Sequence, residues 1–219
     1  MSDDLILLVF TAASVGFFHT LVGPDHYLPF IALARARKWS LGRTVRITLL
    51  CGLGHVSSSV LLGAIGIALG SSVTRLEMVE GRRGDMAAWL LIAVGLIYLA
   101  WGLRRATRLP GVNRPRDPSR FPLGSALLTP WSLFVIFVLG PCEPLIPVLM
   151  VPAATSSFAA VALVAAAFAA ATLATMSGLV VVGRYGVSRV PLGGFERYGH
   201  AMAGATILLC GVGIRFLGL

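Results

Sequence analysis

Charge is scarce in this chain. Of 219 residues only 12% are charged and only nine are acidic, while 57% are hydrophobic, for a mean hydropathy of +0.86. A soluble domain needs a charged surface over its core, so this composition excludes one and indicates an all-α polytopic membrane protein. Cysteine is rare too: Cys51, Cys142 and Cys210 all lie inside apolar segments, which excludes a disulfide framework. The first apolar segment also lacks the marks of a cleaved leader. It follows Met-Ser-Asp-Asp, with no basic n-region and no small-residue cleavage site, and is expected to be retained. A net charge of +9 would suit nucleic acid, but the arginines stand between apolar segments, where they set topology. The expected partner is the lipid bilayer, not nucleic acid.

What is present is six apolar segments, 5–23, 46–71, 86–103, 123–140, 157–183 and 200–217. Each comes near the roughly 20 residues that cross a hydrocarbon core. Stretches 24–36 and 141–154 are too apolar for ordinary loops and too short and Pro-rich for spans, so they are expected to be Pro-broken or re-entrant half-helices. A basic linker, 106–120, separates a first three-helix repeat, 1–105, from a second, 121–219. Gly23-Pro24-Asp25-His26-Tyr27-Leu28 aligns with Gly140-Pro141-Cys142-Glu143-Pro144-Leu145 at a constant offset of 117 residues, and Gly95-x6-Gly102 matches Gly204-x6-Gly211. Three spans per half make the second copy enter from the opposite side. The expected architecture is a 3+3 inverted repeat with its interrupted segments meeting at a midplane site. Fourteen of the eighteen basic residues fall after the first, third and fifth spans, so the linker is expected to be cytoplasmic and both termini non-cytoplasmic, in the plasma (inner) membrane.

Ionisable residues at membrane depth are costly and mark function. His19 and His26, seven residues apart, would stand about 10 Å apart along a straight helix, too far to share an ion. A break at Gly23-Pro24 can fold Asp25 and His26 back towards His19. His55, in Gly52-Leu-Gly-His55-Val-Ser, has small neighbours that admit another backbone and is the natural fourth ligand. Nitrogen ligands with one carboxylate suit borderline divalent ions such as nickel, cobalt or zinc. His19, Asp25, His26 and His55 are therefore the candidate metal ligands. Cys51, one turn before His55, is a candidate pathway residue, although packing alone explains a membrane cysteine. Cys142 and Glu143 take the places of Asp25 and His26 in the second half. Glu143 is open to three roles: ligand, proton-coupling carboxylate or partner of His26. Thr172 and Thr175 fall where His55 would repeat, and His200 is expected at the interface.

These residues resemble the nickel/cobalt permease and efflux families and the urease-accessory-type membrane proteins, whose first helix carries H-x4-D-H and whose next helix carries a Gly-His-Ser-type motif. Here the motifs read His19-x5-Asp25-His26, with one extra residue, and Gly54-His55-Val-Ser57. The resemblance implies that the four candidate ligands bind a transported cation. Gly140-Pro-Cys142-Glu-Pro also resembles, more distantly, the membrane thiol-disulfide carriers of cytochrome c maturation, which need one cysteine in each half; Asp25 stands where the first would be. The expectation is a non-enzymatic, alternating-access transporter with a divalent transition metal as substrate and no prosthetic group. The alternatives are a thiol/redox carrier or metalloenzyme using Cys142, and a proton-coupled small-solute exporter.

Overall fold

In the computed structural model, residues 3–107, 130–155, 158–189 and 193–218 are described, and among them there is no strand. Helix α1 (Asp3–Val22) starts with Asp3 and Asp4, which complement the positive end of its dipole. It ends where Pro24 can donate no backbone N–H, and a 3-10 turn, Pro24–His26, leads into the short helix α2 (Leu28–Ala36). Ser40 caps α3 (Leu41–Ala68), its Oγ accepting from the Arg43 N–H at 3.3 Å. Gly70 then reverses the chain at φ 60°, a conformation glycine adopts without steric cost. Then come α4 (Val73–Ala106), α5 (Pro130–Leu139), α6 (Leu145–Thr155), α7 (Phe158–Ser188) and α8 (Gly199–Val212), the last running into a π-helical turn, Gly213–Leu217.

Among the described residues five helices are long and apolar enough to cross a membrane: Asp3–Val22, Leu41–Ala68, Val73–Ala106, Phe158–Ser188 and Glu196–Leu217. Their outer faces carry bare apolar side chains such as Leu7, Phe10, Leu61 and Leu209, as lipid contact requires. The fourth expected span, 123–140, is described only from Pro130, where α5 is apolar and short. Positions 108–129, with most of the expected linker, lie outside the described residues.

The expected short half-helices at 24–36 and 141–154 correspond to the 3-10 turn with α2 and to α6. The third span differs from expectation. The expected bounds, 86–103, leave out Arg75, Glu77, Glu80, Arg82, Arg83 and Asp85, a stretch with the composition of a polar connection. Instead α4 is helical from Val73, and the charges ride on its first turns. Glu80 is fully buried, its Oε1 paired with Arg83 one turn later at 2.8 Å, so a local i,i+3 ion pair accompanies the helix into the protein interior.

Small residues set the packing. Cβ atoms built on Gly95 and Gly102 of α4, or on Gly204 and Gly211 of α8, would each come closer than 3.0 Å to backbone atoms of the facing helix. The two helices therefore touch main chain to main chain, which gives membrane helices dense van der Waals contact where lipid offers no hydrophobic drive. Gly16 brings α1 equally close to the Phe168 carbonyl on α7, and Gly84 seats α4 on Pro141. The result is a bundle that brings the two proline breaks to a common centre.

Candidate functional site

Three imidazoles converge at that centre. His19 lies in the last turn of α1, His26 in the 3-10 turn and His55 midway along α3. One donor atom from each lies within 4.8 Å of the other two. Ring centroids stand 4.7 Å apart for His19 and His26, 5.1 Å for His26 and His55, and 6.3 Å for His19 and His55. The break at Gly23-Pro24 accounts for the first of these distances, since a straight α1 would hold the two rings about 10 Å apart.

The opposite edges of two rings decide how the donors point. His26 Nδ1 lies 3.1 Å from the Gly23 carbonyl and 3.1 Å from Asp25 Oδ1. His55 Nδ1 lies 3.3 Å from the Phe137 carbonyl. A carbonyl can only accept, so Nδ1 carries the hydrogen in both rings, and each neutral ring keeps its Nε2 lone pair. Nε2 of His19, His26 and His55 is buried in every case without a hydrogen-bond partner. Buried polar atoms are rarely left orphaned, and three of them converging form a nest of electron-pair donors. Backbone and carboxylate partners that fix the far nitrogen are the usual support of a metal-binding imidazole.

Asp25 takes a different place from the one its sequence position suggests. Its Oδ1 faces His26 Nδ1, and it stands outside the group of three converging donors. It holds the His26 ring by its Nδ1 edge and places negative charge behind it. Glu143 lines the same cavity, about 350 Å³ in volume, with His19, Asp25, His26, Asp85 and Pro141. Cys142 is fully buried in an apolar cluster with Ala12, Leu145 and Phe168, whereas Cys51 packs in another with Ile47, Met176 and Phe137; all three cysteines are free. Thr172 is fully buried, with Oγ1 unpartnered, and His200 accepts or donates at 2.7 Å to the Tyr98 hydroxyl away from the histidine group.

Sequence reasoning missed Glu80 and Arg83. Besides Glu80, Arg83 donates to Ser58 Oγ at 2.7 Å and to the Val138 carbonyl at 2.6 Å, and Ser58 Oγ donates to the His55 carbonyl at 2.8 Å. Arg83 thus ties α4, α3 and α5 together beside His55, while Glu80 Oε2 stays buried and unpartnered. The available signal was an acid and a base three apart, flanked by Gly81 and Gly84, at the head of an apolar run.

The family model of the cytochrome C biogenesis protein transmembrane region matches residues 28–213. No curated protein and no solved structure matches the chain. The match supports the more distant of the two sequence resemblances and lends none to the nickel/cobalt families. It starts just after His26, so two of the three imidazoles precede it. The matched stretch covers most of the chain, which therefore belongs to the cytochrome C biogenesis transmembrane-region family and is a multi-pass membrane protein.

Proposed function

We propose that the chain is a membrane carrier whose cargo is a divalent transition metal, held by His19, His26 and His55 and moved without chemical conversion. The observation that carries this reading is the convergence of three buried, unpartnered Nε2 atoms whose far nitrogens are already committed to hydrogen bonds. Three neutral imidazoles suit nickel, cobalt or zinc and leave a coordination position open towards the cavity. Asp25 and Glu143 line that cavity and would draw a cation inward, whereas Asp85 beside them is paired with Arg215 at 3.6 Å. In this reading Glu143 is the carboxylate that exchanges a proton as the ion passes.

Six spans in a 3+3 inverted repeat complete the proposal, and helix packing supports them. Gly95 faces Leu208 and Gly204 faces Leu99; Gly102 faces Ala201 and Gly211 faces Ile92. Exchanging positions by a shift of 109 residues turns each contact into its partner. Likewise α1 packs on α7 as α5 packs on α3. Such reciprocity is what a pseudo-two-fold axis in the membrane plane produces.

Purified protein titrated with nickel, cobalt and zinc should bind about one ion, and His26→Ala or His55→Ala should abolish binding. Metal uptake at the wild-type level in the double variant would end the proposal. A second reading, thiol-disulfide exchange at Cys142, is favoured by the family match. It needs a second thiol, and Cys51 packs in a separate cluster. Full activity in Cys142→Ser would eliminate it.

A further inference from the structure

A second cavity, of about 530 Å³, opens at the other end of the bundle. Asp85 in the histidine cavity and Arg105 in this one share α4, about 30 Å apart along its axis at 1.5 Å per residue. Cations converge on it from three helices and one turn, and from both halves of the chain. Arg35 and Lys38 come from the end of α2, Arg105 from the end of α4, Arg184 from the last turns of α7, and Arg197 from the turn before α8. Glu196 is the one carboxylate among the described lining residues.

Five cations around one void repel each other, and low-dielectric walls concentrate their field. Arg105, Arg184 and Arg197 each contact a group that carries no charge. Arg35 donates to the Val187 carbonyl, and Arg184 donates to the Trp39 carbonyl at 3.3 Å. The Arg105 guanidinium lies over the Trp101 ring at 5.4 Å, and that of Arg197 over Tyr198 at 4.8 Å. Arg184 Nε is buried without a hydrogen-bond partner. His200, held to Tyr98 and packed edge-on against Trp101, lines the cavity among these aromatics. A belt of tryptophan, tyrosine and arginine at the end of membrane-crossing helices sits at headgroup depth, where phosphate is the abundant anion.

We propose that this cavity binds a phosphate-class anion, either a lipid phosphate or free inorganic phosphate, gripped by guanidinium groups from both halves. Guanidinium matches phosphate oxygens in charge and in paired donor geometry. The proposal is independent of the histidine site.

The test uses the full chain purified in detergent and phosphate-free buffer. Native mass spectrometry reads which lipid is retained from an equal mixture of phosphatidylglycerol and phosphatidylcholine, and thermal unfolding reads the effect of inorganic phosphate on delipidated protein. Arg105→Gln with Arg197→Gln is the informative variant, because both side chains are exposed and their loss leaves the core intact. Arg75→Gln, exposed at the other end of α4, controls for bulk charge. Retention of phosphatidylglycerol over phosphatidylcholine by about tenfold, lost in the double variant, supports the site with lipid as its source. A rise in Tm with inorganic phosphate, also lost in the double variant, supports it with the free anion as source. The proposal is overturned if neither anion is preferred, if the double variant behaves as wild type, or if Arg75→Gln loses as much.

Discussion

Arg83 makes three hydrogen bonds to three different elements, and its loss would strand Glu80 as a lone buried carboxylate. Removing one partner of a buried pair typically destabilises by about 3–5 kcal/mol. Arg83→Ala should therefore lower the thermal unfolding midpoint sharply, and pairing it with Glu80→Leu should recover much of the loss. A double variant no more stable than Arg83→Ala would show that the carboxylate was not the penalty. The histidines yield a prediction of another kind. Proton and metal compete for the same Nε2 lone pairs, so affinity should be full where all three imidazoles are neutral and fall once acid protonates any of them. Titration calorimetry with zinc over a descending pH series, carried as far as the fold survives, checks this, and binding that takes up or releases no proton anywhere in the series would exclude imidazole ligation.

At the scale of elements, the proline breaks do the positioning. Pro24→Ala restores a backbone donor and lets α1 continue past Gly23, which would carry His26 away from His19. Metal affinity should drop at least about tenfold with little change in Tm. An unchanged affinity would mean that the fold holds His26 without the break. That break was legible in the sequence, because a Gly-Pro pair inside an apolar run has few structural uses, and so were the imidazoles at membrane depth. The role of Asp25 was not, since i+1 adjacency to His26 is compatible both with shared ligation and with hydrogen bonding to its Nδ1. Nor was the buried start of α4: a run holding Arg75, Glu80, Arg82, Arg83 and Asp85 has the composition of a polar connection, and only packing against α3 and Pro141 decides which charges are covered.

For the whole molecule, the two cavities divide the charge. The acidic one reaches the histidines at one end of the bundle, and the basic one opens at the other. With six spans both termini should stand on the non-cytoplasmic side, opposite the basic connections. Thiol-reactive labels that cannot cross the membrane, applied to cells carrying a cysteine added at either terminus, should reach both; protection of one alone would require an odd number of spans and break the inverted repeat. One bond then links shape to chemistry. Pro141 can offer no N–H to the Phe137 carbonyl four residues earlier, and besides the Gly140 N–H at 3.1 Å it is His55, from the other half of the chain, that approaches this oxygen. The second half thereby dictates which nitrogen of a first-half imidazole holds its hydrogen. If α5 draws away from α3, the ring is free to exchange tautomers, and one of its two neutral forms presents N–H where a lone pair was. Separation of the halves would loosen the grip on an ion with no ligand having to move.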